Sequence, residues 1–198
     1  MLSENRKKFE KVSLWLGQIF SKIGISADSF TLISLFFAIL SFLFLIRIKL
    51  NWALLFFIIA SVLDLIDGAV AKFRGKPMKT GAYLDTICDR YVEGIILLGF
   101  LFLPLPKILF SSEIWILLCL FGALMTTYSK AAAKEKEIIN EELKKGILER
   151  PERIILIFLA LILANFNLFS YTVYILIIFA ALSNMTALQR IIYTLKIK

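Results

Sequence analysis

Apolar residues run along this chain in long blocks separated by short polar breaks, and the blocks predict its elements. Residues 30–46 are apolar apart from Thr31, Ser34 and Ser41, and further blocks run from about Trp52 to Phe73, Gly81 to Leu103, Ile114 to Lys130, Pro151 to Phe166 and Phe169 to Tyr193. A helix needs about 20 such residues to cross the hydrocarbon core of a bilayer, so six spans are predicted. The breaks carry suitable residues. Ser26 or Asp28 can cap the first span, Gly75 and Pro77 interrupt the loop from Arg74 to Thr80, Pro104 and Pro106 stop the third span, and Pro151 suits a first helical turn. The short Arg74–Thr80 loop predicts that spans two and three are antiparallel neighbours. Span four is expected to continue as a polar helix through Glu137. Ahead of all six, Phe9, Val12, Leu16, Ile19, Phe20 and Ile23 recur at helical spacing among Arg6, Lys7, Lys8, Lys11 and Lys22. That pattern predicts an amphipathic helix on the membrane surface. Gly17, Gln18, Ser21 and Lys22 interrupt its apolar run, so it is expected to be retained rather than removed as a signal peptide. The expected fold class is an all-α polytopic membrane protein of six transmembrane helices plus this surface helix. It forms one domain over residues 1–198, with a juxtamembrane helix at 1–25 and a bundle at 26–193.

Composition agrees. Of 198 residues, 60% are apolar and 19% charged, against about 45–50% and 25% in soluble domains. The net charge of +8 would suggest nucleic acid in a soluble protein, but here the cations bracket apolar runs. Nineteen Lys and Arg fall on the side holding both termini and only Arg47, Lys49 and Lys107 on the other. The positive-inside rule then places the termini in the cytoplasm of a multi-pass cell-membrane protein with no nucleic-acid partner. Histidine is absent and Cys88 and Cys119 lie in apolar segments, which removes the commonest general base and any cysteine metal framework. The two halves show no matching broken helices, unlike inverted-repeat transporters.

The acidic residues inside the predicted spans change the picture most, because an intramembrane charge costs at least about 2.5 kcal/mol. Asp64 and Asp67 are three apart and share a face with Gly68 and Ala71, while Asp85 and Asp89 are four apart with Gly81 one turn earlier. Four converging carboxylates repel unless protonated or neutralised. An all-oxygen set favours hard cations, so Mg²⁺ or Mn²⁺ is expected, with Ca²⁺ as an inhibitory substitute. The glycines let a phosphate or a helix approach the backbone closely, which suits phosphoryl-group chemistry.

The run Asp64-x-x-Asp67-Gly68-x-x-Ala71-Lys72, eight residues, then Gly81-x-x-x-Asp85-x-x-x-Asp89 resembles the signature of the CDP-alcohol phosphatidyltransferases. Every spacing and seven of eight fixed positions match, the departure being Lys72 where the family has Arg. The six-span layout extends the resemblance over nearly the whole chain. It implies that an acceptor hydroxyl attacks the lipid-linked phosphorus of a CDP-activated lipid and CMP leaves, with two metal ions at the diphosphate. Asp64, Asp67, Asp85 and Asp89 are then metal ligands and Asp89 also the general base. Thr31, Asp64, Gly68, Ala71, Lys72 and Gly81 border the CDP-lipid. The resemblance also implies a homodimer. Lys72 keeps the charge but loses the bidentate fork.

Lys130, Arg153 and Arg190 recur near the same ends of spans four, five and six. They resemble the elements that inositol phosphate enzymes of the family place around an acceptor phosphate, and one Lys with two Arg suits a dianion. The Asp85 to Gly94 run is most similar to archaeal members of that group, which implies inositol 1-phosphate as acceptor and CDP-archaeol or CDP-diacylglycerol as donor. Glycerol 3-phosphate is the rival acceptor. Glu93 is placed either to pair with Arg90 or to bind an acceptor hydroxyl. Other readings stay open. Lys130, Arg153 and Arg190 also fit ordinary inside-positive flanks. The aspartates fit a buried polar network, although four acceptor-only groups cannot satisfy one another. They also fit a cation carrier, although they cluster rather than trace a path. Lys72 supports an inactive relative kept as an assembly subunit.

Overall fold

The computed structural model describes residues 15–22, 24–75, 79–139 and 146–197. These form six long helices: α1 (Ala27–Ile46), α2 (Leu50–Phe73), α3 (Lys79–Gly99), α4 (Ser112–Glu135), α5 (Arg150–Asn165) and α6 (Phe169–Lys196), with a 3₁₀ turn at Phe100–Phe102 and no named strand. Boundaries follow the sequence signals. Ser26, not Asp28, is the N-cap of α1, its side chain accepting from Ser29 N at 3.1 Å. Pro151 stands in the first turn of α5. α3 stops before Leu103, because the chain tightens into the 3₁₀ turn ahead of Pro104.

The helices assemble as two groups, α1 with α2 and α3, and α4 with α6 and α5, joined where α2 meets α5 and where α3 meets α4 and α5. Lipid tails are as apolar as leucine, so packing depends on small residues and interhelical hydrogen bonds. Ser34 Oγ donates to Ala60 O at 2.9 Å and Ser41 Oγ to Ala53 O at 2.7 Å, tying α1 to α2. Thr126 Oγ1 donates to Ser183 O at 3.0 Å between α4 and α6, next to Gly122, where an added Cβ would overlap the Ser183 hydroxyl. Buried residues of all six helices form one core around Phe57, Ile96, Ile116, Ile157 and Phe179.

Sequence proximity misleads in one place. α2 and α3 are not packed neighbours: among the described residues no Cα pair between them lies within 8 Å, and α1 packs against both. The gap holds the acidic residues, which repel one another, and it leaves room between the two faces that carry them. Four helices, α1, α2, α4 and α6, are long and apolar enough to cross a membrane by length and composition. α3 is interrupted by Asp85, Asp89, Arg90 and Glu93, and α5 has 16 residues. Residues 15–21 are helical and lie against α2, since a Cβ on Gly17 would overlap the Ala69 carbonyl. Phe20 meets Phe30 edge-on at 6.0 Å. The remainder of the predicted surface helix, including Arg6, Lys7, Lys8 and Lys11, lies outside the described residues.

Candidate active site

Asp64 and Asp67 project from one turn of α2 and Asp85 from α3, and one carboxylate oxygen of each lies within 4.8 Å of the others. Oxygens on opposite sides of a hard divalent cation are about 4–5 Å apart, so this set fits such an ion. Asp67 is buried and its Oδ2 accepts from Thr31 Oγ1 at 2.7 Å, which ties α1 to the cluster. Asp89, one turn after Asp85, is also buried. Its Oδ1 stands in ion-pair contact with Arg150 Nη2, which donates to Asp64 Oδ1 at 2.7 Å.

Beside the cluster opens a cavity of roughly 290 Å³ lined by Ser26, Ala27, Asp28, Thr31, Asp67, Gly68, Ala71, Arg74, Gly81, Ala82 and Asp85. Thr31, Gly68, Ala71 and Gly81 therefore line one cavity, whereas Asp64, expected to border the same molecule, does not line it. Gly81 has a steric reason: a Cβ there would sit 2.7 Å from Asp28 Oδ1. Lys72 does not line the cavity and is exposed. Arg74, two residues on, does line it, and its Nη2 donates to Ile25 O at 3.0 Å.

The cationic residues divide. Arg153 is buried at the start of α5, its Nε donating to Glu93 Oε1 at 2.6 Å and its Nη2 to Oε2 at 3.3 Å. Arg90 Nη1 completes the group at 2.8 Å from Glu93 Oε2 and donates to Thr127 Oγ1 at 3.1 Å. Glu93 thus pairs with Arg90 as one alternative had it, and with Arg153 as well. Arg190 is buried on α6, donates to Thr126 O at 2.8 Å and lies 4.0 Å from Glu149 Oε1. Thr186 Oγ1 accepts from Leu148 N at 3.0 Å, fixing the segment before α5 against α6. Lys130 is half-buried on α4, one turn beyond Thr126. Sequence reasoning did not assign Asp28, Arg74 or Arg150 to the site. Asp28 and Arg74 flank recognised motif positions, but nothing local distinguishes Arg150 from Arg153.

The chain is similar to known proteins over most of its length. The family model for the CDP-alcohol phosphatidyltransferases matches residues 25–188. The archaetidylinositol phosphate synthase of Pyrococcus horikoshii is 32% identical over 194 residues, covering 96% of this chain and 95% of that protein. The phosphatidylinositol phosphate synthase of Mycolicibacterium smegmatis is 28% identical over 198 residues, with 94% and 85% covered. Among solved structures, the phosphatidylinositol phosphate synthase of Mycobacterium tuberculosis with CDP-DAG bound superposes with a TM-score of 0.77 at 23% identity, over 94% of each chain. The same enzyme in complex with manganese and citrate gives 0.77 at 22% identity, over 93% of this chain and 89% of that one. At these identities the structures establish a shared fold.

Proposed function

The chain belongs to the CDP-alcohol phosphatidyltransferase family, and from that premise we propose that it transfers the phosphatidyl or archaetidyl group of a CDP-activated lipid to a hydroxyl of inositol 1-phosphate, releasing CMP. The observation that carries this reading is the meeting of Asp64, Asp67 and Asp85 within 4.8 Å beside a cavity lined by Thr31, Gly68, Ala71 and Gly81. The cavity takes the cytidine nucleotide, with Gly68 and Gly81 allowing close backbone approach and Arg74 at its rim. Asp64, Asp67, Asp85 and Asp89 would hold two Mg²⁺ ions, or Mn²⁺, which when bound neutralise charge on the diphosphate and on departing CMP. Asp89 accepts the proton of the acceptor hydroxyl as its oxygen bonds to the lipid-linked phosphorus and the bond to CMP breaks. Lys130, Arg153 and Arg190 surround the acceptor phosphate, a dianion. The names of the Pyrococcus and Mycolicibacterium relatives support an inositol phosphate over glycerol 3-phosphate.

All six helices cross the membrane in this reading as one domain. α3 hides its charges against α1, α4 and α5, and α5 spans with its flanking residues. The termini and the site face the cytoplasm of the cell membrane and the protein works as a homodimer. The deciding experiment supplies purified protein with Mg²⁺, a CDP-lipid and labelled inositol 1-phosphate. CMP release is expected, falling about 10²–10⁴-fold in Asp89→Asn, the usual contribution of a general base. Reaction with glycerol 3-phosphate alone would move the acceptor assignment. Cation flux through liposomes without CMP release with any acceptor would replace the transferase reading.

A further inference from the structure

Four carboxylates come together at one end of the bundle, and one guanidinium reaches two of them. Arg150 Nη2 donates to Asp64 Oδ1 at 2.7 Å and is in ion-pair contact with Asp89 Oδ1. Neither group is saturated. Asp89 Oδ1 lacks an aligned hydrogen bond although it is buried, and Arg150 Nε is buried without a hydrogen-bond partner. A guanidinium offers five N–H donors and a carboxylate about four acceptor sites, so one Nη2 between two carboxylates engages only part of each group. Arg150 also keeps 30% of its side chain exposed, which leaves it room to move.

Charge balance gives this arrangement a direction. Four aspartates without divalent cations need positive charge from the protein. Two divalent cations balance the same four carboxylates, and a guanidinium left between Asp64 and Asp89 would then face them as a surplus like charge. We propose that Arg150 is a tethered counter-cation of the cluster: it holds Asp64 and Asp89 while no divalent cation is present, and yields them when one enters. Arg150 and the divalent cation therefore compete for the same two carboxylates. Once displaced, its planar fork is free for the phosphate oxygens of a bound substrate, so one residue serves both states. The inference rests on the reading of the four aspartates as cation ligands.

The test is Mn²⁺ binding to metal-free protein in detergent, read from the loss of the free Mn²⁺ electron paramagnetic resonance signal with no substrate present. Arg150→Gln removes the competitor and is expected to bind Mn²⁺ about tenfold more tightly than the unaltered protein, the size of one charge-assisted hydrogen bond. Arg150→Lys keeps the charge but not the fork and should fall between the two. Equal or weaker Mn²⁺ affinity in Arg150→Gln overturns the proposal. Should that variant not survive metal removal, Arg150→Lys decides: tighter binding than the unaltered protein supports competition, and equal or weaker binding overturns it. Tighter binding without CMP release in the transfer assay would leave this proposal standing and remove the transferase reading. CMP release with unchanged Mn²⁺ affinity would do the reverse.

Discussion

Arg150 and Arg153 stand three residues apart on the first turn of α5 and meet their carboxylates in opposite ways. Arg153 uses two nitrogens on Glu93, which also receives Arg90, and the Arg153 and Glu93 side chains are 2% and 3% exposed. Arg150 makes one hydrogen bond, to Asp64, and is 30% exposed. A buried ion-pair network holds neighbouring elements in one geometry, because losing a partner strands a charge away from water, and this holds although Arg90 Nε within it has no hydrogen-bond partner. An unsaturated cluster at the edge of a cavity has capacity left for something that arrives later. The first kind of pairing fixes where Arg153 stands and the second leaves Arg150 able to change partners, although both use an arginine and a carboxylate.

The comparison breaks most visibly in stability. Glu93→Ala strands Arg153 and Arg90 and should cost about 3–5 kcal/mol in reversible unfolding. Asp64→Ala removes one of several repelling carboxylates and a partly exposed pair, so its cost should stay below about 1 kcal/mol. Equal losses would mean that the two networks do the same work. Next in size is the acceptor. If Arg153 holds the acceptor phosphate from its fixed seat on Glu93, Arg153→Lys should raise the acceptor KM by about tenfold or more through loss of the fork, with kcat changed far less. A fall in kcat at constant KM would place Arg153 with the reacting groups instead. The smallest effect belongs to Lys72. It is exposed outside the cavity, so Lys72→Arg should change the KM for CDP-lipid by no more than about twofold. A much larger gain would bring position 72 into the donor site and displace Arg74 from the rim.

The helices were legible because hydrophobic blocks, Gly75, Pro77, Pro104 and Pro151 act locally, and local signals survive in any sequence. The aspartates were legible because their spacing of three and four fixes a common face on each helix. What could not be read was how helices meet. The short Arg74–Thr80 loop suggested that α2 and α3 touch, yet α1 packs against both and the carboxylates meet across a gap. Nothing in a 20-residue window encodes that rotation. The same limit hid the role of Arg150: only two residues of helix lie between it and Arg153, and only the positions of α2 and α3 determine that one reaches Asp64 and the other Glu93. Arg74 was obscured by Lys72, which occupies the motif position while Arg74 lines the cavity.

The distance along the chain between these partners also sets an order of events. Asp64 precedes Arg150 by 86 residues, and Glu93 precedes Arg153 by 60. Chains are made from the N-terminus, so α2 and α3 leave the ribosome before Arg150 and Arg153 exist, although Arg90 already stands beside Glu93. The Glu93–Arg153 pair is therefore completed only after α5 is made, while α1, against which α3 chiefly packs, is present from the start.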